Sequence, residues 1–207
     1  MLSLTDDPHL KIKYHGKLYT VDFAFDTVIN YFNLIEDKEL TNEDKIYGTI
    51  DLFFGGNKDM PDIEDIDFYN FAISEVNKAI NDYPYGKHIK QTANSSPYVK
   101  YVDYVKDAGA IYAGFLQQYG IDLTKERGKL QWNQFHALFD GLSEKTQIMR
   151  IIEIRKKPLS EVDKDDIADW QNAKAYYSID DLSNNAESME RTQAIFDMIR
   201  GKTRKEG

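Results

Sequence analysis

Apolar and polar side chains alternate at the start of the chain. Leu10-Lys-Ile-Lys-Tyr14 has the period of a half-buried strand, and Leu18-Tyr-Thr-Val21 follows it in part. The intervening His15-Gly16 supplies a residue tolerant of positive φ, so the spacing predicts a short β-hairpin. At Asp22 the period changes. Phe25, Val28, Ile29 and Phe32 recur at helical spacing and predict a first helix ending near Glu36. Thr41 or Asn42 can cap a second helix, with Glu43 and Asp44 in the first turn, where the helix dipole favours anions. Its apolar face is Ile46, Ile50, Phe53 and Phe54, and Gly55-Gly56 stops it. Pro61 and the acids around Asp65 open a third, with Phe68, Phe71, Ala72, Val76 and Ile80 as its buried stripe.

From Asp82 to Pro97 the periodicity nearly vanishes. Pro84, Gly86, Ser95, Ser96 and Pro97 mark a linker or mobile loop. Beyond it a fourth helix is predicted from about Tyr104 to Tyr119, with Gly120 as a left-handed stop, and a fifth from about Leu130 to Asp140, closed by Gly141. Ser143 should cap a sixth that ends before Pro158, with Arg155, Lys156 and Lys157 in its last turn. A seventh should run from Asp163 to about Tyr177, and an eighth from Asn184 or Asn185 to Arg200. The chain therefore reads as mainly α: seven to eight helices with a short N-terminal β-hairpin. The expected divisions are an acidic N-terminal part at 1–82, a linker at 83–97, a helical region at 98–200 and a disordered tail at 201–207. The alternative is one compact domain throughout.

Composition narrows the function. Hydrophobic residues make up 42% and aromatics 13%, enough for a packed core dominated by large rings. With no cysteine, disulfides and thiolate metal sites are excluded. No apolar run approaches the length of a membrane helix and the first residues lack a signal-peptide pattern, so no membrane association and no secretion are expected. The net charge of −9 is uneven. Residues 1–82 hold 7 Lys/Arg against 17 Asp/Glu, a net of −10, while 83–207 hold 19 against 18. The acidic front half would repel phosphates, so no nucleic-acid partner is expected.

Candidate chemistry is sparse. His9, His15, His88 and His136 are scattered and lack the i, i+4 pairing of a helical metal site. Asp62-Ile-Glu-Asp-Ile-Asp67 lacks the glycine and terminal glutamate of a calcium loop and suits a helix start better. Gly55-Gly56-Asn57-Lys58 lacks the spacing of a phosphate loop. With no base–nucleophile constellation, the expectation is a non-enzyme without cofactor or metal. What remains is an aromatic segment. Ile111, Phe115, Leu116 and Tyr119 form one stripe, and Trp132, Phe135, Leu138, Phe139 and Leu142 another. Such stripes ordinarily form a helical-hairpin core. Trp132, however, sits among Gln131, Asn133 and Gln134, a setting that favours a half-exposed ring at an interface, with Phe135 and Phe139 buried beneath it. The residues offered for partner contact are Tyr112, Phe115 and Tyr119 on the fourth helix, Trp132, Phe135 and His136 on the fifth, and Arg155 on the sixth.

The runs Ile111-Tyr-Ala-Gly-Phe-Leu-Gln-Gln-Tyr-Gly-Ile-Asp-Leu123, Leu130-Gln-Trp-Asn-Gln-Phe135, Gly141-Leu-Ser-Glu-Lys-Thr146 and Ile154-Arg155 occur in this order. With Val28-Ile-Asn-Tyr31, Lys45-Ile-Tyr-Gly-Thr-Ile-Asp-Leu-Phe-Phe54, Trp170 and Tyr176-Tyr177, they make about residues 17–180 similar to a bacteriophage family of siphophages and prophages of Gram-positive bacteria. Its genes typically lie between those of the major tail protein and the tape measure protein. One departure is Trp132-Asn133, where the family usually has two adjacent aromatics. The resemblance implies a tail-assembly chaperone in the host bacterial cytoplasm. Its implied partner is the tape measure protein, with a second tail chaperone or another copy of itself as further partners. The alternatives are a tail or neck component of the virion, and an acidic inhibitor of a host defence protein.

Overall fold

The computed structural model of the protein describes residues 2–62, 65–82 and 100–179. The expected linker at 83–97, the eighth helix and the tail lie outside the described residues. Two compact units emerge. The first takes in 2–82 together with Arg127–His136, and the second takes in 100–126 and 137–179.

The first unit begins with an antiparallel hairpin, β1 (Lys11–Tyr14) and β2 (Lys17–Thr20), in which Ile12 opposes Tyr19. His15 and Gly16 both have positive φ, +45° and +85°, the conformation that matches a two-residue turn to strand twist. Ile12 and Tyr19 point inward and are buried, while Leu18 on the opposite face is exposed. Helix α1 (Phe25–Glu36) buries Phe25, Val28 and Tyr31. The Tyr31 hydroxyl donates to Asn77 Oδ1 at 3.0 Å, and burial pushes its pKa up to about 12.

Helix α2 (Asn42–Phe54) starts at the predicted cap. Thr41 Oγ1 accepts from the Asp44 N–H at 3.1 Å, and the Asp44 carboxylate accepts from the Thr41 N–H at 3.0 Å, a reciprocal capping box. Gly48 lets α2 approach α1, since a Cβ there would lie 2.9 Å from the Leu34 side chain. Helix α3 (Ile66–Ile80) is capped by Asp65 and buries Phe68, Ala72, Val76 and Ile80. Phe71, expected in that stripe, is only half-buried and packs beside Tyr14, ring centroids 5.5 Å apart. Asn57 stitches the hairpin to the end of α2: its side chain bonds the Thr20 N–H and C=O and the Phe54 C=O.

The second unit contains α4 (Ala108–Tyr119), a 3-10 turn at Leu123–Lys125, α6 (Gln147–Lys156), another 3-10 turn at Leu159–Glu161 and α7 (Ile167–Tyr176). Between them in sequence, α5 (Trp132–Asp140) gives its N-terminal part to the first unit and its C-terminal part to the second. Gly120 ends α4 at φ +67°, as its sequence position suggested. Gly114 keeps α4 close to its neighbours, with the place of a Cβ 3.3 Å from Leu142 Cδ1 and 3.6 Å from Ile148 Cγ2.

Helices α4, α6 and α7 start later than predicted because turns come first. The Asp103 carboxylate accepts from the Val105 and Lys106 N–H groups ahead of α4. Ser143 accepts from the Thr146 N–H and hydroxyl through its C=O, so α6 begins only at Gln147. The Asp166 N–H bonds the Asp163 C=O ahead of α7. Mainly α with an N-terminal hairpin is the observed class, with seven α-helices among the described residues.

Thr41→Ala should lower the melting temperature by removing the capping box. Hydrogen bonds from the Thr41 hydroxyl, then from its N–H, hold the Asp44 carboxyl below its ordinary pKa. That contribution is full above the unfolded-state pKa and fades as pH falls through the lowered folded value. The stability gap between Thr41→Ala and the parent protein should therefore narrow as pH falls below the ordinary carboxylate range, measured by urea melts.

Candidate functional site

In the first unit, the segment ahead of α5 returns to the start of α1. The Phe25 N–H donates to the Leu130 C=O at 2.9 Å, the Trp132 N–H donates to the Phe23 C=O at 2.7 Å, and Ala24 bridges Gln131. Phe25 then stacks on Phe135 with centroids 5.0 Å apart and planes 10° from parallel. Trp132 meets Phe32 edge-on at 5.7 Å, stacks on Phe135 at 5.6 Å and touches the half-buried His136 ring at 5.7 Å.

In the second unit, Phe115 is fully buried and meets the Tyr119 ring edge-on at 5.9 Å. The Tyr119 hydroxyl donates to the Leu138 C=O at 2.9 Å. The outer side of α4 has an unusual composition: Ala108, Gly109, Leu116 and Gln117 are exposed, Tyr112 and Ala113 are half-buried, and the helix contains no charged residue.

Arg155 lies at the centre of a polar junction. Its Nη1 donates to Asp107 Oδ2 at 2.6 Å and to the Tyr101 C=O at 2.8 Å; its Nη2 donates to Asp107 Oδ1 at 2.8 Å; its Nε donates to the Tyr177 C=O at 2.7 Å. The two side chains are 8% and 4% exposed. One guanidinium thus ties the strand of chain ahead of α4 to the end of α7. Lys174 adds a bond from its ammonium to the Arg155 C=O at 3.0 Å.

Among the described residues no group of three or more His, Asp or Glu side chains could hold a metal ion, and no helix is long and apolar enough to cross a membrane. The geometry is that of packed rings and buried polar ties, with apolar side chains left over at the surface. The sequence profile of a family described as Bacteriophage Gp15 protein matches residues 4–179. The chain belongs to that family. It is accordingly a bacteriophage protein. No curated protein and no solved structure matches it.

For this phage family member, the residues offered for partner contact separate into different settings. Trp132, expected half-exposed, is only 3% exposed. Its polar neighbours are not a sign of a wet surface. Gln134 Oε1 accepts from the Gln131 N–H at 3.1 Å, Gln131 Nε2 donates to the Lys129 C=O at 3.1 Å, and Asn133 Oδ1 accepts from the Gln134 N–H at 2.9 Å. These bonds tie the polar side chains to backbone groups around the start of α5, where Gln131 is itself buried, and the ring beside them turns inward. Phe135 is buried like Trp132, so neither offers a surface. Phe115 is core as well, and Arg155 points inward onto Asp107. Tyr112, Tyr119 and His136 are half-buried and retain some access. Sequence reasoning missed Asp107 and the pair Phe25 and Phe32. Each meets its partner across a long separation, and no local spacing announces either contact.

Trp132→Ala should cost roughly 3–5 kcal/mol of stability, comparable to Phe135→Ala, because both empty a buried aromatic site. Chemical denaturation of the two variants checks it; a Trp132→Ala protein as stable as the parent would contradict the burial described.

Arg155→Ala should also destabilise by about 3–5 kcal/mol, since it strands Asp107 without its buried counter-charge. Arg155→Lys should recover only part of the loss, because an ammonium cannot span both carboxylate oxygens and two carbonyls. Melting curves of the two variants test this ranking.

Proposed function

We propose that this phage protein is a non-enzymatic tail-assembly chaperone that binds the tape measure protein while the tail is built. The observation that carries this reading is the family match across residues 4–179, nearly the whole described chain. Membership itself points to a structural or assembly-related phage protein. The finer role draws on the family's implied place beside the tape measure protein. Two features of the molecule support it. The outer side of α4 is free of charge and carries Tyr112 and Leu116, and Val105 and Tyr176 are exposed at 65% and 81% in the same unit. Apolar surface of this kind suits a helical partner that lays an apolar face against it.

In this reading the protein acts in the host cytoplasm, holding a long helical partner in solution until tube subunits assemble around it. It releases that partner rather than converting it, so no catalytic group is called for.

Co-expression with the tape measure protein of the same phage should shift the latter into the soluble fraction and give a complex in pull-downs at low salt. A tape measure protein that stays insoluble, with no complex recovered, would remove the proposal. Mass spectrometry of purified virions separates the neighbouring reading: a carrier should be absent, whereas stoichiometric presence would mark a tail or neck component.

A further inference from the structure

The first unit carries a surface whose character differs from that of α4. On α2, Glu43, Tyr47 and Asp51 follow one another at i, i+4 and i+8, so they share one helix face, and all three are exposed. On α3, Ile66 is exposed and Tyr69, three residues on and so on the same face, is half-buried, with exposed Asp62 just ahead of the helix. Tyr47 is 47% and Ile66 50% exposed. Helices α2 and α3 pack on each other, and Tyr69 of α3 has Tyr47 of α2 as a neighbour. The Tyr69 hydroxyl is raised from its ordinary pKa chiefly by burial, then by the neighbouring Tyr47, Asp62 and Asp65. The result is a tyrosine and isoleucine patch edged by carboxylates.

The same chain contains a segment of the complementary chemistry. Residues 195–205, Ile-Phe-Asp-Met-Ile-Arg-Gly-Lys-Thr-Arg-Lys, carry four basic side chains against one acidic, directly after Ile195, Phe196 and Ile199. No other stretch of comparable length within 180–207 combines such apolar content with that positive charge. Fifteen residues, 180–194, join this segment to the last described residue.

We propose that the Tyr47–Ile66–Tyr69 face of the first unit is the docking site of the chain's own segment 195–205. Ile195, Phe196 and Ile199 cover the patch, and the basic residues that follow meet Asp62 and the acids of α2. Exposed ion pairs contribute little individually, so apolar cover supplies the hold and charge sets the orientation. The docking stands independently of the chaperone reading and concerns a surface that reading does not use.

The test uses the full-length protein and a water-soluble carbodiimide, which joins lysine amines to carboxylates in contact. Mass spectrometry of the monomeric product should find Lys202 and Lys205 joined preferentially to Glu43, Asp51 or Asp62. Raising the salt from about 0.1 M to about 1 M shortens the Debye length from about 10 Å to about 3 Å and should cut the yield several-fold. The double variant Tyr47→Ser/Ile66→Ser, altered only at exposed positions, should keep the parent's circular dichroism and melting curve yet lose most of these links. Links spread without preference over the chain's carboxylates would overturn the proposal. So would a yield unchanged in the double variant. Links confined to covalent dimers would also overturn it, and would assign the face to the segment of a second copy.

Discussion

The return of Leu130–Phe135 onto Phe23–Phe25 is the contact through which the first unit acquires a piece of chain remote in sequence. Closing so long a loop costs conformational entropy, although the cost grows only logarithmically with length. Two backbone hydrogen bonds, the stacked Phe25 and Phe135 rings and the burial of Trp132 offset it together. The backbone bonds set the register, and that register aims the indole at Phe32 instead of at solvent. Helix α1 consequently has neighbours on two sides: α2, admitted closely by Gly48, and the incoming α5.

The second unit relies on a different kind of tie. Burying a guanidinium and a carboxylate is costly, and the pair is tolerable because nearly every polar atom is answered: Asp107 takes both Arg155 donors and the Asp103 N–H, and Arg155 reaches two backbone carbonyls besides. An apolar substitute could fill the space but could not reach the carbonyls of Tyr101 and Tyr177. The pair is thus a device for fixing where the two ends of the unit lie, more than a source of net stability.

Local elements were legible in the sequence because they rest on local physics. The turn at His15-Gly16, the Thr41–Asp44 box, the Asp65 cap and the Gly120 stop each depend on residues within a few positions of one another. Helix starts misread by several residues have the opposite cause: Asp103, Ser143 and Asp163 are good turn formers as well as good caps, and composition does not choose between the two. The candidate site was less legible. Polar residues around Trp132 looked like a surface and instead bond to backbone around the start of α5, while Arg155 looked like a complement to a helix dipole and was half of a buried pair. Membership of the phage family, by contrast, was readable from ordered runs of residues, and the match over 4–179 establishes it.

The two units are interleaved along the chain, and this sets an order of events during synthesis. A ribosome delivers α1, α2 and α3 long before it delivers Trp132 and Phe135. At about 5–20 residues per second, the interval between Asp82 and Phe135 lasts roughly 3–10 s. Throughout that time Phe25 and Phe32 lack the rings that will cover them. The first unit is therefore begun early and finished late. For those seconds the nascent phage protein is itself an incomplete fold with aromatic side chains open to the surrounding solution.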